Sequence, residues 1–125
     1  MKRIDLEITK DNIGLFKDYE FKRRKNELED SKTKKSIGDI IKSLEINPFV
    51  YNPLIVSEAN KRYEIIDGHH RKYAIERFLK KYPDARINVS LVVHNDLNIN
   101  QKIQLYSMLI ILLVKQMELH LLLLY

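Results

Sequence analysis

The chain has 125 residues, 45% of them hydrophobic and 31% charged, with a formal net charge of +5. That length suits one domain with a real core, and the basic balance favours anionic partners such as nucleotide, nucleic acid or acidic lipid without choosing among them. With no cysteine, disulfides, thiolate catalysis and Cys-based zinc or iron–sulfur sites are excluded, which fits a cytoplasmic protein.

The first residues alternate Ile4, Leu6 and Ile8 with Asp5 and Glu7, the pattern of a half-buried strand. The same alternation lacks the unbroken apolar region of a secretory signal, so no export signal is expected. Ile13, Leu15 and Phe16 are placed to anchor the turn that follows. From Lys17 to Lys35 charge dominates, with Lys22-Arg23-Arg24-Lys25 at its centre. One reading is a solvated loop or short helix; the other is a basic flap that reaches phosphate groups.

Ser36-Ile37-Gly38-Asp39 has capping-box spacing, and Ile37, Ile40, Ile41 and Leu44 share one face, so a helix is expected over 36–45. Asn47-Pro48 ends it. Leu54-Ile55-Val56 reads as a short strand, and 57–62 as a polar, hairpin-like connector into a strand at Tyr63–Ile66. Tyr82-Pro83-Asp84 marks a turn, and Ile87, Val89, Leu91 and Val93 give the clearest strand, which ends at Asn95-Asp96. The chain from about Asn98 is helical in pattern. Its apolar runs (108–114 and 121–124) are interrupted by Lys115, Gln116, Glu118 and His120, which argues against a membrane span. A helix apolar on every side must still be covered, by the core on one side and by a second copy on another, so self-association through 103–125 is expected.

The stretch that organises the rest is Tyr63-Glu64-Ile65-Ile66-Asp67-Gly68-His69-His70-Arg71-Lys72-Tyr73-Ala74. An apolar strand breaks at Asp67-Gly68, and Tyr73, Ala74, Ile75, Phe78 and Leu79 then recur at helical spacing. A strand, a Gly corner and a helix N-terminus together gather backbone N–H groups at the positive end of a helix dipole, here beside two imidazoles and a guanidinium. Gly68, His69, His70 and Arg71 are therefore candidates to bind phosphate. The structural alternatives are that Asp67 caps the helix, that Arg71 pairs with Glu64 or another acid, and that one His is a core residue. Asp67 with the two histidines could also suggest a transition-metal site, but adjacent residues rarely aim at one tetrahedral ion and no further ligand cluster is evident.

In the order helix, Asn52-Pro53-Leu54-Ile55-Val56 strand, second strand, then Gly68-x-x-Arg71-x-x-Ala74, residues 1–97 resemble the ParB/sulfiredoxin superfamily. The resemblance implies an α+β fold, a small mixed sheet with packed helices, as a nucleotide-binding domain over 1–97; the long apolar C-terminal helix over 98–125, a candidate self-association element, is read from its own pattern. Sulfiredoxins have Gly-Cys-His-Arg at this corner, and His69 stands where their cysteine would be, so sulfiredoxin chemistry is excluded. Chromosome-partitioning ParB proteins have Gly-Glu-Arg-Arg, bind CTP there and continue into a DNA reader for which this chain has little room. The free serine kinases of the superfamily are most similar, since Asp67 through Arg71 matches their Asp-Gly-His-His-Arg run throughout.

That branch implies transfer of phosphate from ATP or ADP to a small hydroxyl substrate such as free serine, with CTP as the alternative nucleotide. Gly68, His69, His70 and Arg71 would grip the phosphates, and Asp67 would hold Mg²⁺ or orient a histidine. A carboxylate must also accept the hydroxyl proton; Glu20 is the candidate the resemblance implies, with Asp18 and Glu27 behind it. Ser57 and Asn52 sit at strand ends where substrate could bind. The competing readings are a DNA-binding or nuclease-like ParB-type module and a catalytically silent dimerising scaffold.

Overall fold

The computed structural model describes residues 1–19, 30–95 and 97–124, with α3 beyond residue 116 as backbone only. Five strands form one mixed sheet in the order β1-β5-β3-β4-β2. They are β1 (Lys2–Ile8), β2 (Phe16–Lys17), β3 (Phe49–Ala59), β4 (Arg62–Asp67) and β5 (Ile87–Asn95). Three α-helices accompany them: α1 (Ser31–Ile46), α2 (His69–Lys81) and α3 (Ile99–Leu124). The β1–β5 and β3–β4 pairs are antiparallel, whereas β3–β5 and β2–β4 are parallel.

Alternation decides which side of each strand is buried. In β5, Ile87, Val89, Leu91 and Val93 are buried and join Leu54 and Val56 of β3 and Ile65 of β4 in the main core. Helix α2 contributes Ile75, Phe78 and Leu79 to that core, and α1 contributes Leu44. Ile37 of α1 meets Tyr73 and Ala74 of α2 in a smaller cluster, so the two helices pack on each other over one face. The opposite face of β4 turns toward α3, where Lys102 Nζ lies 2.7 Å from Oε1 of the buried Glu64. The expectation of an α+β fold with a small mixed sheet and packed helices therefore holds.

Three boundaries differ from the sequence reading. Helix α1 begins at Ser31, five residues before the expected Ser36, because Asp30 caps it by accepting from the Lys32 N–H at 3.0 Å. Strand β3 is longer than 54–56 and runs through Pro53. It can do so because its pairing with β5 shifts between Val50 and Leu54, a bulge that needs no N–H from proline. The connector between β3 and β4 shrinks to Asn60-Lys61, both at positive φ (53° and 61°), as in a tight two-residue hairpin.

At the other edge Phe16 stacks on Tyr63, centroids 5.0 Å apart, so two residues of β2 suffice to hold that edge. Burial, with the nearby Glu58 carboxylate adding to it, pushes the Tyr63 phenol above its ordinary range. Among the described residues no helix is long and apolar enough to cross a membrane.

Candidate functional site

The corner after β4 is built by one residue that only glycine fills easily. Gly68 has φ +113° and serves as the N-cap of α2, with no side-chain hydrogen bond capping the helix. A Cβ here would meet Leu54 Cδ2 at 2.5 Å and Arg71 Nη2 at 2.9 Å, so the bare backbone makes room for a guanidinium folded over it. Asp67 does not cap α2. It ends β4 and pairs with Arg71, Oδ2 to Nη2 at 3.4 Å, on a half-exposed side chain.

Arg71 is held from two sides. Its Nη2 also donates to the Pro53 carbonyl at 3.2 Å, which the bulge of β3 turns out of the sheet ladder. Its Nε is buried and has no acceptor among the described residues. Glu64, the other acid considered for Arg71, is engaged instead by Lys102. The two histidines diverge into different supports. The backbone N–H of Tyr19 donates to His69 Nε2 at 3.1 Å, and His70 Nδ1 lies 3.2 Å from Ser36 Oγ of α1.

All five motif residues line one cleft of about 770 Å³. Ser36 and Ile40 of α1 form one wall and Ile66 lies at the base. The far wall is α3, through Tyr106, Leu109, Ile110 and Leu113. The pairing of Asp67 with Arg71 thus leaves room beside the corner. The cleft is polar at the motif and apolar along α3, a surface that suits a ligand with an anionic end and a flat or apolar end.

Beneath the cleft lies a network not legible in the sequence. Asp18 accepts from Lys72 Nζ and from Tyr73 Oη, both at 2.8 Å, and Lys72 also pairs with Glu76 at 2.9 Å. Asp18 is thereby committed to α2, which argues against it as a proton acceptor for a substrate. Glu20 and Glu27 lie outside the described residues. Ser57 is buried between β4 and β5 and Asn52 is exposed beside the bulge; neither lines the cleft. Among the described residues no group of three His, Asp or Glu side chains could enclose a metal.

Sequence reasoning missed Pro53, Ser36, Tyr19 and the α3 wall as parts of this site. Only Pro53 left a signal, since a proline inside an apolar strand implies a bulge and so a carbonyl turned out of the ladder.

No family model matches the chain, and no curated protein matches it in sequence. Among solved structures, the C-terminally truncated chromosome-partitioning protein ParB from Caulobacter crescentus, complexed with CTP-gamma-S, aligns with a TM-score of 0.54 at 17% identity over 82% of this chain. A conserved hypothetical protein from Pyrococcus furiosus aligns at 0.47 and 18% identity over 79% of the chain. The chain spans 49% of the ParB chain and 34% of the Pyrococcus one. At that identity the ParB likeness shows the architecture, and the chain has the ParB-like α+β fold that its strand, corner and helix order implies.

Proposed function

We propose that the Asp67–Arg71 corner binds the phosphates of a nucleotide, and that the domain is a phosphotransferase of the serine-kinase type. The observation that carries this is Arg71. A buried guanidinium Nε without an acceptor costs about 1–3 kcal/mol, and a phosphate oxygen at the uncapped N-terminus of α2 would satisfy it. The 770 Å³ cleft beside the corner supports the same reading, as does a CTP analogue bound by a protein of similar fold.

In this reading the main-chain amides at the start of α2 and the Arg71 fork hold the phosphates, and the apolar α3 wall receives the base. A Mg²⁺ ion fits the donor set only as such ions are usually held at phosphates, by one carboxylate together with phosphate oxygens and water. Asp67 would supply that carboxylate, and the ion would neutralise charge on the transferring group. Glu20 is the proton acceptor for the substrate hydroxyl, the role that the resemblance to the serine kinases implies for it. The exposed apolar residues of α3, among them Met108, Ile111 and Leu112, support self-association through this helix.

Titration calorimetry with ATP, ADP and CTP, followed by a coupled assay with free serine, tests the proposal. Binding to at least one nucleotide is expected, weakened about tenfold or more by Arg71→Lys, which loses the planar fork. No binding of any of the three to the folded protein would refute it. Binding without turnover, unchanged by Glu20→Gln, would remove the kinase role and leave a nucleotide-binding module.

A further inference from the structure

We infer that Lys102, through its pair with Glu64, decides which face of α3 is turned to the cleft, and is thereby a positioning residue for the part of the ligand beyond the phosphates. The consequence for ligand rests on the phosphate-binding reading above; the choice of helix face does not.

A helix docks by its apolar stripe, and α3 has no single stripe to offer. Met108 through Val114 are apolar without a break, so hydrophobic burial alone would accept almost any rotation about the helix axis. Charge removes that freedom. Lys102 is the one charged residue between positions 99 and 114, and its Nζ lies 2.7 Å from Oε1 of the buried Glu64 on β4. Turning another face inward would carry the cation away from that carboxylate, and an uncompensated buried charge costs far more than exchanging one leucine for another.

The phase set at Lys102 runs on along the helix. Tyr106, Leu109, Ile110 and Leu113 recur at the spacing of one helical face that begins at Lys102, and all four line the cleft, which Lys102 itself does not. Met108 and Ile111 fall on the other side and are exposed. The start of the helix is fixed by a reciprocal cap. Gln101 Oε1 accepts from the Asn98 N–H at 3.0 Å, and Asn98 Oδ1 accepts from the Gln101 N–H at 2.8 Å. One turn after Lys102 the Tyr106 ring stacks on Tyr19 at 4.8 Å. Glu64 shares its side of β4 with Ile66, the base of the cleft, so the pair moors the α3 wall to the strand that ends in the Asp67-Gly68 corner. A ligand whose phosphates sit at that corner meets α3 through its base, and it is the base end that Lys102 governs.

Because the chain has no cysteine, alkylation of single introduced thiols reads the orientation of α3. Leu109→Cys, half-buried on the cleft side, is expected to react more slowly than Gln104→Cys on the exposed side. Lys102→Met should abolish that contrast, and Lys102→Arg, which keeps the cation, should preserve it. Lys102→Met should also weaken ATP binding by about tenfold, through lost apolar contact with the base, and leave inorganic pyrophosphate within about twofold. The double variant Glu64→Gln with Lys102→Met leaves no buried charge unpaired, so it should regain stability and still lack the contrast; it reads the helix face even where Lys102→Met alone unfolds the chain. Equal thiol rates in the wild type, a contrast that persists in the folded double variant, or ATP and pyrophosphate weakened alike in it would overturn the inference. A wild type that binds neither probe would remove the phosphate reading instead, and the thiol rates would still decide the role of Lys102.

Discussion

Replacing Gly68 by alanine tests whether the corner is a built cradle or an ordinary turn. The backbone at φ +113° is one that L-residues adopt at a cost of about 1–2 kcal/mol. The new methyl would also stand 2.5 Å from Leu54 Cδ2, on a side chain with no exposed surface to retreat into, and such overpacking adds about 1–3 kcal/mol. The sum is about 2–5 kcal/mol. With a urea m-value of about 2 kcal/mol/M for a domain of this size, the midpoint should fall by about 1–2.5 M. Gly38 provides the control. It lies inside α1, a Cβ there meets nothing within 4 Å, and Gly38→Ala should raise stability by about 0.5–1 kcal/mol. Equal midpoints for Gly68→Ala and wild type would refute the account of the corner. A fall with Gly38→Ala would show that the α1 assignment is at fault.

Three further outcomes are expected. Lys102→Met removes the ammonium 2.7 Å from the buried Glu64 carboxylate and should cost about 2–3 kcal/mol in urea unfolding, below the range for fully enclosed pairs because Lys102 is partly exposed. The Glu45 carboxyl is held below its ordinary value near 4.5, first by the hydrogen bond from Tyr82 and then by Lys81, so its contribution is present above the unfolded pKa and is lost as pH falls through the lower folded one. The melting-temperature gap between wild type and Tyr82→Phe should therefore narrow below about pH 4, and a gap constant from pH 7 to 3 would contradict this. In light scattering the 14.9 kDa chain should run at twice its mass or more, with a charged residue at Leu112 shifting it toward monomer; a wild-type monomer would count against α3 as a contact surface.

Much of the fold was legible because its signals are local. The alternation in β1 and β5 and the Gly68 corner depend on residues within one or two turns of each other, and the structure places them as expected. The errors arose where local and tertiary preferences compete. The first turn of α1 is Ser31-Lys32-Thr33-Lys34-Lys35, whose one buried residue is Thr33, so no apolar stripe marks it and charge hides a helical face. Pro53 reads as a strand breaker until the bulge is known, and Asn60-Lys61 forms a tight hairpin without the glycine that usually announces one. At the site, the motif residues were found together because all five are consecutive and include the turn that aims them. Asp18 and Lys72 are 54 positions apart, and no spacing rule joins a carboxylate after one strand to a lysine inside a helical stripe. The Pro53 carbonyl and the α3 wall likewise depend on the sheet order, which alternation along single strands does not specify.

The parallel pairing of β2 with β4 has a consequence for when the site comes into being. Two strands that run the same way release their chains at the same end of the sheet, which is why residue 19 emerges beside residue 69. Helix α2 and its corner can form early from neighbours in sequence, but the Tyr19 amide that donates to the His69 ring arrives only after a fifty-residue loop has closed and a two-residue strand has docked at the sheet margin. The Tyr19–His69 contact is therefore a late event in folding, and it marks the closed margin more sensitively than helix content does.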